Sequence, residues 1–286
     1  MNFSLCTALE SVRLDNCSSA SIINSLQTIP NTAKITTLSS HKFPTPISSL
    51  FNSINCSNVI DCTLSSDQGH NYDFSQVPFA DLIKCRNLNI SVKYLSESQD
   101  LDMSGMTSLE ELRIGSSLTK MSIKSLKIPS SLKSIYISNT NLSSIIGLDN
   151  AVNLNKFCIN SSNISSIEFV RNLKNISGSS SADATRANRL DLQDNNITDL
   201  SPLLDTIVNG NISYKELDIS SNSLIAVTSS GVDNIDVIKK LHAAGLTYLN
   251  IKENTAITEY KVGEVLIYVE QLKEIFSNPG DHLIYQ

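Results

Sequence analysis

The sequence predicts an α/β solenoid, a stack of coils that each place one short strand in a common parallel β-sheet. Three observations predict it. A pair of apolar positions two residues apart recurs down the chain. The recurrence is too short for separate domains. Polar residues fill the strand positions between and around the apolar ones. The second apolar residue of the pair falls at Leu14, Leu38, Leu64, Ile90, Ile114, Ile137, Ile159, Leu192, Ile219 and Ile251, every 22–33 residues. Its partner is Val12, Thr36, Cys62, Leu88, Leu112, Ile135, Phe157, Leu190, Leu217 and Leu249. Alternation at period 2 gives a strand one apolar face. A single coil cannot bury that face, so neighbouring coils must stack to do it.

The remaining elements follow in order. A third apolar site lies three residues before each pair, from Leu9 to Leu246. The second coil, read as Ala33, Thr36 and Leu38, matches least well. Coils of 22–24 residues leave room only for extended or 3-10 returns on the convex side. Longer coils can hold helices. Residues 232–245 have helical apolar spacing and end on Gly245, a residue suited to a helix C-terminus. Residues 178–187 read as a polar, mobile insertion. Val262, Val265, Leu266, Val269, Leu272, Ile275 and Phe276 mark one helical face, which predicts a helix capping the open core. The expected organisation is a solenoid over residues 1–257 and a capping helix and tail over 258–286.

Leu190-Asp-Leu192-Gln-Asp-Asn195-Asn-Ile197-Thr-Asp-Leu200 reads L-x-L-x-x-N-x-I-x-x-L, and the segments from Leu132 and Tyr214 follow the same pattern. This resembles the leucine-rich repeat family over about residues 5–257. The stretch Asp199-Leu-Ser-Pro202-Leu-Leu is similar to the turn of internalin-type bacterial repeats. The resemblance implies a horseshoe of about ten repeats with a concave parallel sheet. It also implies a binding scaffold rather than an enzyme. An asparagine at the turn can pair backbone groups that would otherwise be buried unbonded. Asn195, Asn222 and Asn254 occupy that site. Cys17, His41, Asp67, Lys93, Ser117, Thr140 and Ser162 stand there in the first seven coils. A less regular N-terminal half is therefore expected.

Composition narrows function by exclusion. The formal net charge of −6 and the lack of a Lys/Arg block argue against nucleic acid and anionic membrane as partners. No apolar run approaches a membrane span. No phosphate loop, nucleophile elbow or H-E-x-x-H is present, and His41, His70, His242 and His282 are scattered. Cys56, Cys62, His70 and Cys85 lack metal-site spacing, so neither metal nor cofactor is expected. Cys62 and Cys85 read as buried, and Cys158 as the accessible thiol. Most of the ten Asn-x-Ser/Thr sequons follow from the repeat itself. A cytoplasmic monomer is expected if Met1 is the native start, and a cell-surface location if the chain is a fragment.

The informative surface is the outward face of the strands, where parallel pairing sets equivalent side chains ~4.8 Å apart. The first coils offer mostly Ser, Thr and Asn there. From Glu111 onward the face gains charge and aromatics. Arg113, Tyr136, Arg189, Asp191, Asp218 and Tyr248 are the candidate protein-binding residues. Asp191 beside Asp218 is a like-charge pair that stability alone does not favour. The expected function is a non-enzymatic scaffold presenting this face to a protein. The alternatives are a stalk segment of a surface or adhesive protein, and a targeting domain of a larger enzyme or effector.

Overall fold

The computed structural model describes residues 2–15, 17, 20–41, 47–65, 73–74, 77–92, 98–116, 120–176, 188–262 and 265–286. The predicted mobile insertion at 178–187 lies outside the described residues. The chain forms two compact units, Met1–Lys133 with Ile137–Ala151, and Ser134–Tyr136 with Val152–Gln286.

Unit 1 holds two parallel sheets. The first takes β1 (Ser11–Asp15), β2 (Thr37–His41), β3 (Asp61–Ser65), β4 (Asn87–Ser91) and, passing over β5 (Gln99–Asp102), β6 (Glu111–Gly115). The short helices α1 (Ala20–Leu26) and α2 (Ser48–Phe51) lie in the returns of its first two coils. The later returns are extended, as the 22–24-residue spacing requires. There β5 pairs with β7 (Met121–Lys127), and β7 with both β9 (Thr140–Leu142) and β10 (Ile145–Ile146). Leu101, Met121, Ile123 and Leu126 on these returns are at most 1% exposed. Each of these later coils is thus a two-sided β layer around one core. The strand β8 (Ser134–Ser138) is divided between the units at Tyr136 and Ile137.

The second coil corrects the sequence alignment by two residues. Leu38 pairs in register with Val12 and Cys62, and Ser40 with Leu14 and Leu64. Ser40, not Leu38, therefore holds the second inward position, and Ile35 lies in the core at 1% exposed. The reason is chemical. A serine small enough to be buried breaks the apolar pair, and its Oγ lies in the core without a hydrogen-bond partner. Ser39 consequently takes the outward position between the two inward ones.

Unit 2 repeats the pattern with β11 (Lys156–Asn160), β12 (Arg189–Asp191), β13 (Glu216–Asp218) and β14 (Tyr248–Asn250), all parallel and in register. Its returns hold 3-10 turns at Glu168–Asn172 and Ser201–Thr206, the latter with a proline at its start. The predicted helix is α3 (Asn234–Ala243). Asp233 caps it by accepting from the Ile235 and Asp236 N–H groups, and Gly245 follows it with φ 113°. After α4 (Thr255–Thr258) comes a small antiparallel ladder of β15 (Lys261–Val262) and β16 (Val265–Leu266). The final helix α5 (Ile267–Ile275) therefore starts five residues later than the apolar spacing predicts. Its Val269 and Leu272 are fully buried. An eleventh strand, β17 (His282–Ile284), then pairs with β14. The sequence reading passes over it because a single leucine, Leu283, stands where other coils have an aliphatic pair.

The turn asparagines bind the coils of unit 2 together. Asn195 Nδ2 donates to the carbonyls of Ile159 (2.9 Å) and Leu192 (3.0 Å), while its Oδ1 accepts from the Ser162 and Ile164 N–H groups. Asn222 and Asn254 likewise donate to two carbonyls each, one and two coils on, and each Oδ1 accepts from one N–H, that of Ile197 and of Leu224. The residue before each turn position, Ser161, Asp194, Ser221 and Glu253, has φ between 50° and 61°. That left-handed residue swings the following side chain inward at the end of the strand. Asn234, on the first turn of α3, adds a bond set that the repeat pattern does not announce. It accepts from Leu200 N–H and donates to the Thr198 and Ile225 carbonyls at 2.7 Å each.

Candidate functional site

The outward face of the unit 2 strands is where charge and aromatics meet. Its central column runs Cys158, Asp191, Asp218 and Asn250, and the column beside it runs Lys156, Arg189, Glu216 and Tyr248. Register alone places Asp191 next to Asp218. The structure adds a cation between them. The Arg189 guanidinium bonds Asp218 directly and lies 3.4 Å from Asp191. Asp218 also accepts from the Ser220 N–H and hydroxyl and from Asn250 Nδ2, at 3.0, 2.6 and 3.0 Å. The expected like-charge repulsion is therefore offset by a shared guanidinium.

These three residues are not surface groups. Arg189 is 8% exposed, and Asp191 and Asp218 are 2% each. Their side chains are sealed within the face by their own pairing. Side chains pointing outward from a flat sheet close over one another when they pair, and these do. Burial holds the Asp191 carboxyl above the usual carboxylate range, Asp218 adds to that, and Arg189 opposes it. In the folded chain Asp191 thus binds its proton more tightly than in the unfolded chain. The stability cost of ionising it sets in as pH rises through the raised value and is absent below the ordinary one.

Cys158 is likewise fully buried, contrary to its assignment as the accessible thiol. It hydrogen bonds the Asp191 carboxylate, and the Asn160 amide donates to its sulfur at 3.6 Å. The thiol on the open surface is Cys6. Cys62 and Cys85 are buried as expected, and burial pushes the Cys56 and Cys85 thiols up to about 12, where the nucleophilic thiolate is scarce. Labelling of the native protein with a maleimide, followed by peptide mass spectrometry, should modify Cys6 first. Cys56, Cys62, Cys85 and Cys158 should react only on unfolding. Early modification of Cys158 would contradict this arrangement.

The other candidate residues are more open. Tyr248 is half-buried, with its ring 6.3 Å from that of His282. Tyr136 on β8 is half-buried. Arg113 is exposed on β6 of unit 1. Two residues that pattern reading missed complete the picture. Glu216 sits between Arg189 and Tyr248 in register, and its Oε2 is buried without a hydrogen-bond partner. His242 Nε2 lies 2.9 Å from Asp281, and its ring meets Phe276 edge-on at 4.8 Å, so it fastens α3 to the segment before β17. Their signals are long-range contacts that no local spacing carries. Among the described residues, no three His, Cys, Asp or Glu side chains converge as a metal site requires. No described helix is long and apolar enough to cross a membrane.

In unit 2 an inward apolar pair on each strand, parallel pairing and an asparagine bonded across successive turns define the repeat, which is the geometry of a leucine-rich-repeat fold. No protein-family model matches the chain, and no curated protein does. Among solved structures it is similar to the functional domain of InlJ from Listeria monocytogenes, which includes a cysteine ladder. That alignment has a TM-score of 0.47 and 15% identity, and it covers 87% of this chain and 52% of the other. The chain thus spans about half the length of that domain. It also aligns with an internalin of Listeria monocytogenes at a TM-score of 0.34 and 17% identity, covering 97% of this chain and 87% of that one. A leucine-rich-repeat protein of Leptospira interrogans aligns at 0.36 and 13%, covering 99% and 79%.

Proposed function

We propose that the chain is a non-enzymatic scaffold that binds a protein through the outward strand face of unit 2. The observation that carries this reading is the buried Asp191–Arg189–Asp218 network. A β-sheet face that only meets water has no need to bury a guanidinium and two carboxylates at its centre. Such a network fixes the geometry of its neighbours instead. Around it stand Tyr248, Glu216, Asn250 and Lys156, a mixed aromatic and charged surface on rigid strands. Preformed surfaces of this kind bind with little ordering cost. Tyr136 and, on unit 1, Arg113 are further contact residues on the same reasoning.

Tyr248→Ala should weaken binding about 30-fold, the effect of losing a ~2 kcal/mol aromatic anchor, with an unchanged melting temperature. Calorimetry of wild type and variant against a partner captured on the immobilised chain measures this. Unchanged affinity in both Tyr248→Ala and Tyr136→Ala would reject the face as the binding surface.

A further inference from the structure

The return between β12 and β13 carries a tight hairpin. Val208 and Asn211 face each other across it in an antiparallel bridge. The Val208 N–H donates to the Asn211 carbonyl at 2.8 Å, and the Asn211 N–H to the Val208 carbonyl at 3.0 Å. Between them stand Asn209 and Gly210, with φ of 51° and 80°. A two-residue turn with both φ values positive is the conformation that Asn-Gly suits best. The Asn-Gly step occurs once in the sequence.

This step sets an electrophile beside a nucleophile. Closing one five-membered ring joins the Asn209 side-chain amide carbon to the Gly210 backbone nitrogen, and such intramolecular attack is limited chiefly by approach. Three observations favour it. Residues 208–211 are all exposed. A Cβ at Gly210 would meet nothing within 4 Å, and among the described residues no group accepts from the Gly210 N–H. The Asn211 side chain reaches back, its Nδ2 donating to the Asn209 carbonyl at 3.1 Å. That oxygen belongs to the same peptide group as the Gly210 nitrogen. When the nitrogen loses its proton, resonance spreads the charge onto this oxygen, where a donor already stands. The attack requires rotation about the Asn209 Cα–C bond, which leaves the peptide held by Asn211 in place. The turn asparagines Asn195, Asn222 and Asn254 lack this freedom, because their side chains are buried and bonded to backbone groups.

We infer that Asn209 is a modification site, deamidating through a cyclic imide with Gly210, and that Asn211 assists the reaction. The Gly210 nitrogen bonds to Asn209 Cγ, the Cγ–Nδ2 bond breaks, and Nδ2 leaves as ammonia with the proton that Gly210 gave up. Water then opens the imide at either carbonyl, giving aspartate or isoaspartate. Both products add a negative charge to a chain whose formal net charge is −6. Isoaspartate also adds a methylene to the backbone of the two-residue turn, so Val208 and Asn211 lose their register. The next bond along is the Ile212 N–H to the Ala244 carbonyl at the end of α3, at 2.9 Å.

The test incubates the whole chain at mildly alkaline pH and follows it by peptide mass spectrometry, with ammonia release and enzymatic isoaspartate methylation as further readouts. Asn209 should convert ahead of every other asparagine, at a rate that rises with pH. Asn211→Ala should slow the conversion about tenfold, the scale of one hydrogen bond to a developing charge. Asn211→Asp, which sets a like charge where the donor stood, should slow it further. In urea the wild type and Asn211→Ala should react at one rate, because the turn that aims Asn211 is gone. An Asn209 that stays intact, or reacts no faster than the other asparagines, would overturn the site. Folded Asn211→Ala and Asn211→Asp reacting as fast as wild type, or a difference that persists in urea, would overturn the assistance.

Discussion

Arg189→Met is expected to destabilise the protein by about 3–5 kcal/mol at neutral pH, the scale on which one partner is removed from a buried ion network. The substitution leaves Asp191 and Asp218, both 2% exposed, facing each other without their shared cation. Urea unfolding of wild type and variant measures the difference. The loss should shrink as pH falls toward the ordinary carboxylate value of ~3.9, because the Asp191 carboxyl, raised in the folded state by burial, favours that state once protonated. Combining Arg189→Met with Asp191→Asn and Asp218→Asn should recover most of the stability, since a buried network replaced whole is often nearly neutral. Asp191→Asn alone should be near neutral too, because burial already disfavours its ionised form. A stable single Arg189→Met variant would show that the network does not hold the face.

The second large effect is at the turn. Asn222→Ala should cost about 3 kcal/mol or more. It removes the amide that donates to the carbonyls of Leu192 and Ile219, both at 3.0 Å, and accepts from the Ile197 N–H at 2.9 Å. Each buried backbone group left unpaired costs ~1–3 kcal/mol. The expected signature in native-state hydrogen exchange is faster exchange at Ile197 than at residues on α3. Asn222→Ala with wild-type stability would mean that strand pairing alone holds successive coils.

The repeat was legible because its physics is local. Inward aliphatics at period 2, the turn asparagines and the helix at α3 are all written within one coil. What local spacing missed falls into three kinds. Ser40 broke the apolar pattern, so the second coil was read two residues out of phase. Val262 and Val265 belong to a two-stranded ladder, and it is only their spacing in sequence that continues the apolar period of α5. The third kind matters most for the site. Arg189 and Asp218 lie on successive strands, and only the folded register shows a guanidinium satisfying two carboxylates. The same register sets Glu216 between Arg189 and Tyr248. Residue types along the outward columns pointed to the right strands, but not to which side chains are sealed and which remain open.

Hydrogen exchange of the chain with and without a captured protein partner tests the central claim most directly. The account expects slowed exchange on Arg189–Asp191, Glu216–Asp218 and Tyr248–Asn250 and on the residues flanking them. It expects no change on α3 and α5. Protection confined to α3 and α5, with the strands unaffected, would contradict it.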